Sequence, residues 1–356
     1  MIAAEMPADE VSLGALIGAV AGTSGFRPWA TDGVPGVLVV DLDVAPTRPA
    51  PVPPGERGSV PALHGGVRAV VVGLTAVEPA ESHPAAGLCD VVLRPGGGRG
   101  RGGTGVPALD AVVATVEAAP LAATALAVLL RGAPHRALDA GLAAESAVYS
   151  TLQAGPEFAA WRAVRPPRRR EASQDDPVRV ERRGDVLTIT LDRPHVRNAL
   201  STPLRDQLVE AFGLAAVDPS IAEVHLRGAG PDFCAGGDLD EFGTFPDPAT
   251  AHLVRLQQSV GRSIAAVADR VTAHLHGACV GSGIELPAFA GTVVAAPTAR
   301  FSLPEVGLGL IPGAGGTVSL PRRIGRHRTA RLALTGEVLD AATAHAWGLV
   351  DAVADG

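Results

Sequence analysis

The sequence predicts an α/β protein in two parts. Through residues 178–356, strand and helix patterns alternate at a spacing that requires crossover connections, and hence a largely parallel sheet. In the first half, short apolar runs bounded by turn residues, GVLVVDLD at 36–43 and VRAVVVGL at 67–74, read as buried strands. Between the halves lies AVRPPRRREASQDDP at 163–177, rich in proline, arginine and then acids, which reads as a solvated linker.

Composition sets the outer limits. At 356 residues the chain is long for one domain, and 47% hydrophobic with 19% charged residues allows an ordinary core. All thirty basic residues are arginine, and the net charge of -7 argues against a general nucleic-acid binder. Cys89, Cys234 and Cys279 are scattered without metal-ligand spacing, so a reduced compartment is expected, with no disulfide framework and no metal. The N-terminal MIAAEMPADE is acidic, and the most apolar run, 120–130, is too short to span a bilayer. A cytoplasmic protein without a membrane partner is the expectation.

In chain order, the pattern predicts a short helix at 9–20 and strands at 36–43, 67–74 and 89–93. PGGGRGRGGTG at 95–105 lacks the GK[ST] of a phosphate loop and reads as a linker. Residues 107–164 turn helical: Leu109, Val112 and Val116, then Leu121, Leu126 and Leu130, then Leu138 and Leu142 recur at helical spacing. A strand follows at 186–191, then a helix from Ser201 or Thr202 to about Val217, with Thr202 read as its cap and Pro203 at its first position. Residues 221–227 read as the next strand, 249–268 as one long amphipathic helix, and 271–275 as a strand.

The stretch from 277 to 316 carries the most chemistry. Glu285 and Glu305 stand twenty residues apart in apolar, glycine-rich surroundings, each beside a turn signal. Taken singly, each could be a surface or capping acid. A second glycine-rich loop, FCAGGD at 233–238, precedes them. His274 and His276 flank a strand and read as structural histidines.

Five segments in order, LDRPHVRNAL, RGAGPDFCAGGDLDEF, HGACVGSGIELPAFA, FSLPEVGLGLIPGAGGTVSLPRRIG and ALTGEVLDAATAHAWGLVDAV, resemble the crotonase (enoyl-CoA hydratase/isomerase) superfamily over 178–356. The resemblance implies a spiral of ββα units assembled as a homo-oligomer, a trimer or a pair of trimers. It implies an acyl-CoA thioester substrate that carries the CoA, with no separate cofactor. The N–H groups of Gly237 and Ser282 would stabilise a thioester enolate, and Glu285 and Glu305 match both catalytic glutamates of the hydratases. Ala235, Gly236, Asp238 and Gly283 would shape the substrate loop, with Asp238 favoured as a structural cap. His195 and Arg197 fall where the family contacts the CoA nucleotide, whereas Asp240 replaces a frequent lysine. Ser282 stands where glycine is common, and its side chain is expected to crowd the site.

The expected activity is syn hydration of a 2-enoyl-CoA. The alternatives are isomerisation or other CoA-enolate chemistry in secondary metabolism, and a non-catalytic scaffold. The expected domains are 1–165, 166–177 as linker and 178–356 as a catalytic domain lacking the family's usual C-terminal helices. Residues 108–165 look like those helices, and the first three strands weakly resemble family strands, so the first half is expected to be a degenerate crotonase-like unit whose helices 108–165 pack on the second half in place of the absent ones that cover the acyl pocket. An unrelated small α/β domain is the alternative.

Overall fold

The computed structural model describes residues 9–10, 36–44, 69–95, 106–168 and 176–354. They form two compact units, Met1–His135 with Arg326–Thr335, and Arg136–Gly325 with Gly336–Gly356. The chain therefore divides after His135 and not at 165.

The first unit is built on four parallel strands in sequence order: β1 (Asp9–Glu10), β2 (Val37–Asp41), β3 (Val70–Leu74) and β4 (Val91–Leu93). Val40, Val70, Val71, Val72 and Val91 are wholly buried, as expected of strands covered on both faces. Helices α1 (Pro107–Ala118) and α2 (Pro120–Arg131) each open on a proline, whose missing N–H costs nothing in the first turn. Arg131 ends α2 and is locked to buried Asp90, with Nε–Oδ1 at 2.8 Å and Nη2–Oδ2 at 2.7 Å. Asp90 also accepts the Val71 N–H at 2.9 Å, which ties the helix end to the sheet.

Two expectations change here. Asp9 and Glu10 pair with Leu38 and Val39 in a strand where a helix was expected, and 11–20 lie outside the described residues. Most of the 95–105 run and of the 166–177 linker lies outside them too. In addition, β2 and β3 pair in parallel, unlike the antiparallel strand pair at 178–191.

The second unit begins with helices α3 (Leu138–Gln153) and α4 (Pro156–Val164). Strands β5 (Val178–Arg183) and β6 (Val186–Leu191) form an antiparallel hairpin. Helix α5 (Thr202–Val217) is capped by Ser201, whose Oγ accepts the Leu204 N–H, so Thr202 is its first residue and not its cap. Strand β7 (Glu223–Gly228) lies parallel to β6. The long helix expected at 249–268 is two helices, α6 (Pro248–Gln257) and α7 (Val260–Ala265). Gln258 leaves helical geometry at φ -102°, ψ 50°, and Ser259 caps the second helix through the Arg262 N–H, a local bond that competes with helix continuation.

After β8 (Val271–Leu275) comes β9 (Ala278–Val280), the short helix α8 (Ser282–Glu285), β10 (Thr292–Ala295) and β11 (Arg300–Ser302). Helix α9 (Gly316–Thr335) is kinked at Gly325 (φ 79°), beyond which Arg326–Thr335 counts with the first unit. There Arg326 donates to the Cys89 and Gly87 carbonyls. Strand β12 (Leu339–Asp340), helix α10 (Ala341–Trp347) and β13 (Ala352–Val353) complete the second unit. Its large sheet runs β13-β10-β8-β7-β6-β5, and a smaller one runs β12-β11-β9.

Candidate active site

The site grows from the pairing of two loops. Cys234 bridges Cys279 of β9 in parallel, its N–H reaching the Ala278 carbonyl at 3.1 Å while its carbonyl takes the Val280 N–H at 3.0 Å. Leu200 bonds on either side of Gly237, accepting from Asp238 and donating to Gly236. Gly237, between those two bonds, lines a cavity of about 180 Å³. Ser282, the first residue of α8, lines the same cavity, and no group among the described residues accepts its N–H or that of Gly237.

Both acids line this cavity and are buried, Glu285 at 2% exposure and Glu305 at 8%. Glu285 closes α8, and its Oε2 accepts the N–H groups of Ala314 (2.8 Å) and Gly316 (2.9 Å). Glu305 follows Pro304, and its Oε2 has no hydrogen-bond partner among the described residues. Burial raises both carboxyls, Glu305 to about 7 and Glu285 well above its usual range, where repulsion from Glu305 and Glu145 adds to desolvation. Two carboxyls so placed titrate as a pair holding one proton near neutrality. The two backbone donors pull against the rise on Glu285, whereas Glu305 accepts no bond at Oε2 from the described residues.

Gly281 makes this packing possible. It adopts φ 51°, and a Cβ there would overlap Glu305 Oε1.

Other expected residues fall in three groups. Asp238 lines the cavity, accepts the Asp240 N–H at 3.2 Å and lies 3.5 Å from Arg193, as a turn cap does. Ala235, Gly236 and Gly283 shape the loops without lining the cavity: a Cβ at Gly283 would overlap the Cys234 carbonyl, and one at Gly236 would press on Val280 O at 3.2 Å. His195 and Arg197 stand outside the lining. Arg197, expected to offer a cation to a phosphate, already bonds Asp232 at 2.6 Å. The Ser282 hydroxyl points toward Cys234 Sγ, 3.8 Å away.

One wall comes from the 108–165 stretch that was expected to supply covering helices, although none of its residues was singled out from the sequence. Leu142, Glu145, Ser146, Tyr149 and Gln153, one face of α3, all line the cavity. Glu145 is 2% exposed and accepts from Gly315 N (2.6 Å), Thr317 N (2.8 Å) and Thr317 Oγ1 (2.7 Å). Burial raises it to about 7 against the pull of those bonds. A glutamate on the apolar face of a predicted helix was the available signal. Arg255 of α6 also lines the cavity, stacked on the Tyr149 ring at 4.7 Å and bonded to Ser146 and Ser150.

Away from the cavity, His274 has a partner that was not expected, His225 Nδ1 at 3.0 Å, and burial with Arg227 and His225 lowers it to about 4. Cys89, Cys234 and Cys279 are buried and free. Among the described residues no three His, Cys, Asp or Glu side chains form a metal-holding group, and no single helix is long and apolar enough to cross a membrane.

The family model described as enoyl-CoA hydratase/isomerase matches residues 181–355. The 2,3-dehydroadipyl-CoA hydratase of Escherichia coli (strain K12) is 39% identical over 174 residues, 49% of this chain and 68% of that protein. The chain belongs to the enoyl-CoA hydratase/isomerase family. Within that family it is also similar to the 1,2-epoxyphenylacetyl-CoA isomerase of the same organism, 37% identical across 48% of this chain and 66% of that one. Among solved structures, an enoyl-CoA hydratase from Thermoplasma volcanium GSS1 is 36% identical with a TM-score of 0.48, over 51% of this chain and 73% of its own. The segment matched by the enoyl-CoA hydratase/isomerase family model starts downstream of α3, so the wall carrying Glu145 is an addition to the matched segment.

Proposed function

We propose that the protein hydrates a 2-enoyl-CoA to a 3-hydroxyacyl-CoA. The observation that carries this reading is the convergence on one cavity of two buried carboxyls in unequal environments and two unpaired N–H groups. The thioester carbonyl sits between the Gly237 and Ser282 N–H groups, which stabilise the negative charge that grows on its oxygen. Losing one such donor typically costs ~2.7–4 kcal/mol of barrier. Glu285, ionised, takes a proton from water as the water oxygen bonds to the β carbon. The electron pair of the double bond moves through the α carbon to the carbonyl oxygen. Glu305, protonated, then gives its proton to the α carbon, and addition from one side is syn. The proton gained by Glu285 and the one lost by Glu305 leave the pair with one proton, as at the start. CoA enters with the substrate and no further cofactor takes part. A cytoplasmic homo-oligomer, trimeric or hexameric, belongs to the same proposal and is checked by light scattering.

The test is steady-state hydration of crotonyl-CoA and longer enoyl-CoAs, with the product identified as the 3-hydroxy thioester. A shifted double bond as the sole product would move the assignment to an isomerase. No turnover with any chain length would favour a non-catalytic scaffold.

A further inference from the structure

Helix α3 grips the segment 313–317 at three heights. The Tyr149 ring lies where a Cβ at Gly313 would come within 2.5 Å, Leu142 lies 3.3 Å from the same point at Gly315, and Glu145 takes the N–H groups of Gly315 and Thr317. The N–H groups of this turn alternate between two acids: Ala314 and Gly316 donate to Glu285, Gly315 and Thr317 to Glu145. Because each peptide unit is planar, fixing alternate N–H directions constrains those between them. A buried carboxyl is also an expensive way to fill space, since an apolar side chain would pack there without desolvation.

We propose that Glu145 is a positioning residue: by holding Gly315 and Thr317 it aims the Ala314 and Gly316 N–H groups at Glu285, and so orients the acid that deprotonates water. The catalytic consequence rests on the hydratase reading; the geometric one does not.

The test compares Glu145→Ala and Glu145→Gln in the full chain. The glutamine keeps one oxygen acceptor and the alanine keeps none. Misplacing a reacting group by about 1 Å costs ~100-fold, so Glu145→Ala is expected to lose kcat on that scale with KM changed about threefold or less, and Glu145→Gln to recover part of it. Amide hydrogen exchange supplies a readout that needs no turnover: Ala314 and Gly316, which Glu145 does not touch, exchange faster in Glu145→Ala while β6 and β7 keep their protection. If Glu145→Ala fails to fold, Thr317→Val removes only the hydroxyl bond and is expected to show the same split at ~10-fold. A folded Glu145→Ala with wild-type kcat, or with Ala314 and Gly316 exchange unchanged, overturns the proposal, as does a uniform rise in exchange across the unit. A wild type inactive on every enoyl-CoA overturns the hydratase reading instead, and faster exchange confined to 314–317, Ala314 and Gly316 included, would still support the clamp.

Discussion

Gly281 and Glu305 pack so closely that one methyl group between them does not fit: a Cβ at 281 would overlap Glu305 Oε1. The backbone of 281 is also held at φ 51°, ψ -119°, outside the left-handed α well, where an L side chain is strained at a cost on the order of 1–3 kcal/mol. Gly281→Ala is therefore expected to fold, because the far end of Glu305 can swing away, and to lose activity, because that swing removes the acid from the cavity. A crystal structure and a crotonyl-CoA assay check the two halves.

Replacing either acid isosterically removes a proton-transfer partner while keeping the packing. Glu285→Gln and Glu305→Gln should each lower kcat by ~10²–10⁴-fold with little change in KM. Turnover unaffected by either substitution would reject both assignments.

The rate should follow the pair's shared proton. Activity requires one ionised and one protonated carboxyl. As pH falls through about 7 the pair takes up its second proton and the base disappears; as pH rises well above 7 the last proton leaves and the acid disappears. The profile of kcat/KM against pH is expected to be bell-shaped, with its acidic limb near 7, well above that of ordinary carboxylates.

Stability should run in the opposite sense on the acidic side. Glu145 and Glu305 have folded values raised from 4.5 to about 7, so the folded state holds more protons than the unfolded one between those values. Their contribution is fully present below 4.5 and is lost as pH rises through 7. For Glu305 the shift corresponds to on the order of 3 kcal/mol. Thermal melts at pH 5 and pH 8 should show a smaller difference in Glu305→Gln than in wild type.

A fragment of residues 171–356 keeps Glu285, Glu305, Gly237 and Ser282 but loses Leu142, Glu145 and Tyr149 from the cavity wall. It is expected to be poorly soluble and at least ~100-fold less active, since the segment 313–317 loses its grip on Glu285. A soluble fragment with full activity would contradict this.

Much of the second unit was legible in the sequence because its signals are local. Apolar runs marked β6 and β8, and Glu285 and Glu305 sit inside short glycine-rich motifs. The break at Gln258 was not legible, because Ser259 competes with the helix through a single side-chain bond that periodicity does not register. Glu145 was not legible as a site residue for a different reason. In the chain it is one acid on a helix, and its meaning comes from Gly315 and Thr317, far away in sequence. Arg197 shows the same limit: its motif position suggested a phosphate contact, and nothing local announced that its Nε bonds Asp232.

The bonds from Glu145 span 170 and 172 residues. Closing a loop of that length costs about 2–3 kcal/mol more chain entropy than closing one of ten residues. Contacts of such separation form late, after local helices and hairpins. On refolding from denaturant, helical signal should therefore return before enzymatic competence does, and the interval between them measures how long the unit exists as a formed scaffold with an unformed catalytic acid.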